Sequence, residues 1–294
     1  MSASTVKAWT EAVRLRTLPV SVAGVVTAIG YSILHDNLNL VPAGICMVFA
    51  LLCQVASNFA NEYYDYRAGR DRVGREGPRR GVTEGDISPR AMLTAVLVTI
   101  AVACGVGLSL VAWGGWWLIA VGAAVAVGLF AYSAGPFPLS TNGLGEVAVL
   151  IFFGIVPVTL TYYVQTREWN IDVLLGGISM GLMGANVLIV NNYRDIDDDR
   201  AVGKRTLAVR LGRRAMQALY IANATIAMAL MLPVWWQIGF AAVPVPVLTL
   251  TVAVAIAINM GRHEGAALTP LLAKTSALMC VYALLFLLCV SYLG

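Results

Sequence analysis

NNYRDIDDDRAVGKRT, residues 191–206, sets four aspartates in the five positions 195–199, directly behind an apolar run at 173–193. That run is about the length that crosses a ~30 Å hydrocarbon core as a helix, so the stretch reads as the polar end of a membrane span. Working outward, runs of similar length occur near 11–34, 40–62, 90–112, 115–134, 145–166, 214–233, 240–260 and 270–292, making nine in all. Composition agrees: of 294 residues 59% are apolar and 12% charged, and the mean hydropathy is +0.77, far outside soluble composition. Helices satisfy their own backbone groups in lipid, and no alternating ten-residue strand pattern suggests a barrel. The predicted fold is an all-α polytopic membrane protein of nine transmembrane helices. It forms one domain over 1–294, with acidic loops at about 61–90 and 191–214.

Charge placed on this topology orients it. With the N-terminus cytoplasmic, 19 of the 20 lysines and arginines face the cytoplasm and only Arg167 lies outside, the bias of the positive-inside rule. An odd number of spans then puts the C-terminus outside. No small-residue cleavage site follows Arg14 and Arg16, so the first span reads as a retained anchor. Those two arginines fit topology anchoring as well as a functional role. Five cysteines lie scattered in apolar runs without C-x-x-C spacing, where cysteine behaves as a small hydrophobe. His35 and His263 are single loop histidines, read as solvated.

The loops after spans two and six resemble each other. NEYYDYRAG (61–69) and NNYRDIDDDRAVG (191–203) share N-x-Y-x-D at an offset of 130 residues, a hint of internal duplication. Residues four apart share a helix face. Gln54, Asn58, Glu62 and Asp65 form one polar stripe, and Asn191, Asp195 and Asp199 another, while Asp197 and Asp198 point elsewhere. Polar stripes at the ends of apolar helices face a bundle interior or a wet cavity. Two carboxylate rows facing each other across a cavity near the cytoplasmic surface are therefore predicted.

Other motif readings fail. A calcium loop needs glycine where Arg200 stands and glutamate where Thr206 stands. A P-loop needs its first glycine at Asp198 and a preceding strand. GLGEVA (143–148) is a turn entering an apolar helix. A merely solvated loop does not place acids inside the apolar runs, beside amides, twice. Oxygen-only ligand sets suit Mg2+ completed by substrate phosphates, and Arg67, Arg79, Arg80, Lys204 and Arg205 can take the remaining phosphate oxygens. A diphosphate whose other end belongs in lipid is a polyprenyl diphosphate. Its departure leaves an allylic cation that Tyr63, Tyr64, Tyr132 or Tyr193 can face.

These residues resemble the UbiA superfamily of intramembrane aromatic prenyltransferases, whose members have nine transmembrane helices around a central cavity opening near the cytoplasmic side. The resemblance is carried by RLRTLPVSVAG (14–24), SNFANEYYDYRAGRD (57–71), GPRRGVTEG (77–85), AYSAGPFPL (131–139), GLGEVAVLIFFG (143–154), TYYVQT (161–166) and NNYRDIDDDRAVGKRTLAVRLG (191–212). It is strongest to the menaquinone-pathway branch. It implies Mg2+ on Asn61, Glu62, Asp65 and Asp71 and on Asp195 and Asp199. Asp65, Asp195 and Asp199 are then catalytic, and Asn58, Asn61, Arg67, Arg79, Arg80, Tyr132, Asn191, Asn192 and Lys204 contact substrate. Two departures stand out: Glu62 replaces the usual aspartate, and the turn GPFPLSTN (135–142) lacks the basic residue of many relatives.

The implied reaction transfers a polyprenyl group to 1,4-dihydroxy-2-naphthoate with loss of carboxylate, in the bacterial inner membrane. The expected partners are polyprenyl diphosphate, an aromatic acceptor and the bilayer, with no nucleic acid and no protein partner. Three readings stay open beside it: another aromatic acceptor such as 4-hydroxybenzoate, an ion-coupled secondary transporter, and a lipid-binding scaffold.

Overall fold

The computed structural model describes residues 3–74 and 77–293; the side chains of residues 3–5 and Arg16 lie outside the described set. Every described element is helical. In chain order these are α1 (Ala3–Val13), α2 (Leu18–Leu34), α3 (Leu40–Arg67), α4 (Pro89–Gly114), α5 (Trp117–Ser133), α6 (Gly145–Thr166), α7 (Ile171–Arg194), α8 (Ile196–Ala201), α9 (Leu207–Ile238), α10 (Phe240–Met260) and α11 (Gly265–Leu293).

Among the described residues seven helices are long and apolar enough to cross a membrane: α3, α4, α6, α7, α9, α10 and α11. The other two predicted spans take different forms. The first is a pair, α1 and α2, bent by 43°. The bend comes from Arg14 in left-handed conformation (φ 53°), followed by a 3-10 turn over Leu15–Thr17. The fourth, α5, has 17 residues. Helix starts follow side-chain caps that accept a backbone N–H: Asn39 from Val41 at 3.3 Å, Ser88 from Ala91 at 3.2 Å, Asn170 from Asp172 at 2.7 Å and Thr206 from Val209 at 3.3 Å.

Helix α7 is central, with 67% of its apolar window buried, more than any other span. It packs on α9, α6 and α11. Small residues make this closeness possible. A side chain at Gly181 would strike the Leu150 backbone, and one at Gly154 would strike Gly181. Opposite Gly181, α6 widens into a π-helical turn over Leu150–Ile155, which contains Gly154, an irregularity frequent at functional sites.

His35 departs from its solvated reading. It is half-buried, with Nδ1 2.9 Å from the Tyr162 hydroxyl, because the bundle's far end folds Tyr162 over it. His263 is exposed.

Candidate active site

The last four turns of α3 supply one wall of a cavity of about 590 Å³. Gln54, Asn58, Asn61 and Asp65, in steps of four, three and four, line it. Gln54 donates to Asn58 Oδ1 (3.2 Å) and Thr17 Oγ1 (3.1 Å), and Asn58 to the Val13 carbonyl (2.9 Å), so the α1–α2 bend is tied to this face. Asn61 Oδ1 accepts from Arg14 at 3.1 Å and from Arg80 at 3.0 Å, while its Nδ2 donates to Ser133 at 3.3 Å.

The second wall comes from the end of α7. The helix is interrupted at Asp195, yet Asp195 N bonds Asn191 O (3.1 Å) and Asp199 N bonds Asp195 O (2.8 Å), so the four-residue spacing continues into α8. Asn191, Asn192, Asp195 and Asp199 all line the cavity. Buried Arg194 grips Asp195 with both carboxylate oxygens engaged, at 2.6 and 2.9 Å, and donates to Asn191 Oδ1 at 2.8 Å. The two motifs meet at Lys204, whose Nζ lies 3.0 Å from Asp65 and 3.7 Å from Asp199.

Arg14, Arg80 and Lys204 thus bring positive charge to the same end that holds Asp65, Asp195 and Asp199. From there the cavity follows α3 back to Cys46, about 28 Å at 1.5 Å per residue. That far part is apolar, lined by Phe49, Leu118, Leu129, Phe152 and Val164 among others. Tyr132 is on the wall between the two parts. One end suits an anion with metal, the other a hydrocarbon chain.

Not every predicted residue reaches the cavity. Glu62 is turned behind the wall, where Oε1 accepts from Val82 N at 3.0 Å and Oε2 lies 4.0 Å from Arg80. Asp71 pairs with Arg80 at 3.5 Å. Arg67 lies over the Tyr63 ring, 5.9 Å from its centroid. Arg79 sits at the surface, 2.5 Å from Asp86, whose bonded carboxylate raises the guanidinium's pKa. Tyr64 packs edge-on against Tyr63 and Phe130. Tyr193 is buried beneath Arg213 at 5.7 Å, so the paired tyrosines of the two N-x-Y-x-D motifs each carry a guanidinium over the ring, and neither lines the cavity.

Three contributors were not assigned from sequence: Arg14, left undecided there; Arg194; and Glu146, which accepts from Asn192 Nδ2 at 3.0 Å. Arg194 had a signal in its place beside Asp195. Glu146 had none beyond a carboxylate at the mouth of an apolar helix.

The donor set fits a hard divalent cation. Asp65 Oδ1 is buried and accepts no hydrogen bond, and the asparagine and aspartate side chains that line the wall with it can ligate a cation through oxygen. Among the described residues no three carboxylate, thiol or imidazole side chains stand close enough to enclose a metal unaided.

Residues 17–278 match the model of the UbiA prenyltransferase family. The chain belongs to that family. Its relatives include a 1,4-dihydroxy-2-naphthoate octaprenyltransferase of Mycobacterium leprae, 36% identical over 94% of this chain and 93% of that protein. The protein of the same name from Escherichia coli is 33% identical over 77% of each. The fold is similar to that of a UbiA homolog from Archaeoglobus fulgidus described as bound to GPP and Mg2+, with a TM-score of 0.71, 14% identity and coverage of 96% and 99%. As a UbiA family member with seven membrane-length helices among the described residues, the protein is a prenyltransferase and an integral membrane protein.

Proposed function

We propose that the protein transfers a polyprenyl group from polyprenyl diphosphate to 1,4-dihydroxy-2-naphthoate, with Mg2+ and with loss of the ring carboxylate, forming demethylmenaquinone at the quinol level. One observation carries the donor side: Asp65 and Asp199, 134 residues apart in the sequence, converge on Lys204 at the polar end of a cavity that is otherwise apolar. The acceptor is supported by the names of the Mycobacterium leprae and Escherichia coli relatives.

Asp65, Asp195 and Asp199 would hold Mg2+ with Asn61 beside them, and the ion would supply charge that stabilises the departing diphosphate. Lys204, Arg14 and Arg80 bind diphosphate oxygens, with Asn58 and Asn191 beside them as hydrogen-bonding amides. Glu62 and Asp71 act from behind by fixing Arg80, and Arg67 and Arg79 stay at the surface. As the C–O bond breaks, the allylic carbon becomes cationic in a part of the cavity walled by apolar side chains, with the Tyr132 ring available to face it. The electron-rich ring forms the C–C bond, and carbon dioxide leaves the attacked carbon.

The proposed setting is the bacterial inner membrane, with the N-terminus and the polar cavity end cytoplasmic and the C-terminus outside. Nine crossings result if the bent α1–α2 pair and α5 each count as one. The 17 residues of α5 reach about 26 Å, near the short limit of a span.

The purified protein in lipid, given polyprenyl diphosphate and both 1,4-dihydroxy-2-naphthoate and 4-hydroxybenzoate, should prenylate the naphthoate and release carbon dioxide only when Mg2+ is present. Preference for the benzoate, or transfer without carbon dioxide release, overturns the acceptor assignment.

A further inference from the structure

Asn192 stands on the cavity wall with its amide already oriented. Its Nδ2 donates to Glu146 Oε1 at 3.0 Å, so the amide group turned to the cavity is the carbonyl Oδ1, for which the described residues supply no donor. Glu146 is 7% exposed, and its other oxygen, Oε2, is buried without a hydrogen-bond partner. A carboxylate accepts but does not donate, so it fixes which end of the asparagine amide faces it. Burying an acid with one oxygen unpartnered costs stability. The Tyr132 hydroxyl borders the same place: a Cβ on Gly145, the residue before Glu146, would lie 3.7 Å from it. Tyr132 also lines the cavity. Leu188 borders Gly145 as Tyr132 does, and Leu188, Val149 and Phe152 give the cavity apolar lining from α6 and α7.

We infer that Glu146 is a positioning residue for the aromatic acceptor: it holds Asn192 so that Oδ1 accepts a hydrogen bond from a ring hydroxyl, while Tyr132 bonds a second oxygen of the same ring. The ligand class is a dihydroxylated aromatic, seated against Leu188 and Phe152 on the α6–α7 side of the cavity. The diphosphate keeps to Lys204, Arg14 and Arg80. This assignment rests on the acceptor reading above, and it adds a residue and a subsite to it.

The test is steady-state transfer by the lipid-reconstituted protein, varying 1,4-dihydroxy-2-naphthoate and polyprenyl diphosphate separately, for wild type, Glu146→Ala, Glu146→Gln and Asn192→Ala. Glu146→Ala and Asn192→Ala should each raise the acceptor KM at least tenfold and leave the diphosphate KM within twofold. Glu146→Gln, which still offers an oxygen to Asn192 but can also turn its own N–H to it, should fall between wild type and Glu146→Ala in acceptor KM and leave the diphosphate KM within twofold. Thermal unfolding in detergent checks that each variant is folded. The inference is overturned if the acceptor KM is unchanged in folded Glu146→Ala, if the diphosphate KM rises equally, or if Glu146→Gln is as impaired as Glu146→Ala. Failure of wild type to prenylate the naphthoate overturns the acceptor reading instead, and is seen before any variant is compared.

Discussion

Asp195 and Asp199 line the cavity, whereas Asp197 is 68% exposed between Arg200 and Arg213, and Asp198 pairs with Arg72. Their contributions should differ accordingly. Asp195→Ala removes a charge beside the reacting groups and leaves Arg194 buried without its partner; transfer should fall by about 100-fold or more. Asp198→Ala breaks the ion pair with half-exposed Arg72, a contact worth about 0–1 kcal/mol, and should leave turnover within about threefold. Initial rates of the two variants decide this, and equal losses contradict the assignment. Glycine at 203 (φ 76°) lets the chain turn so that Lys204 reaches back to both motifs. Arg14 carries the same left-handed conformation without being glycine, a strain of about 1–3 kcal/mol that is characteristic of sites where a side chain must be aimed.

At the scale of elements, α3 shows what a sequence pattern reveals and where it stops. Gln54, Asn58 and Asp65 are legible as one face. Both Asn61 and Glu62 fit helical spacing from Asn58, and only the position of the 77–88 loop decides that Asn61 faces the cavity and Glu62 the backbone of Val82. Glu62→Ala would leave that buried N–H unsatisfied, at a cost of about 1–3 kcal/mol. Hydrogen exchange of residues 77–88 should quicken in the variant while α9 is unaffected; unchanged exchange would show that Glu62 does not pin the loop. The π-helical turn of α6 was not legible, because it depends on how closely α7 approaches at Gly177 and Gly181. Gly181→Ala forces the two backbones apart, an overpacking cost of about 1–3 kcal/mol, and should lower the thermal unfolding midpoint in detergent. An unchanged midpoint would mean the contact is not tight. The bend at Arg14 was hidden for a similar reason: an apolar run records which residues meet lipid or core, not where the backbone turns.

For the whole molecule, the apolar runs and the one-sided charge carry most of the architecture, since a bilayer demands both helices and a cytoplasmic excess of lysine and arginine. Single cysteines introduced at Ser4 and Tyr292 in a cysteine-free background test the resulting topology: a membrane-impermeant thiol reagent applied from outside should label position 292 and not position 4. Labelling of both or of neither contradicts the nine-crossing orientation. Folding of the chain into one bundle is also what brings Asp65 of α3 and Asp199 of α8 to the same Lys204, although the two acidic motifs are far apart in sequence.

That shared site is the centre of the account, and the Mg2+ dependence of prenyl transfer in wild type, Asp65→Asn and Asp199→Asn tests it most directly. Each variant weakens a different motif. Wild type should be inactive without Mg2+, and both variants should need at least tenfold more Mg2+ for half-maximal transfer. Transfer by wild type in the presence of EDTA, or a Mg2+ requirement that changes in only one of the two variants, would contradict it.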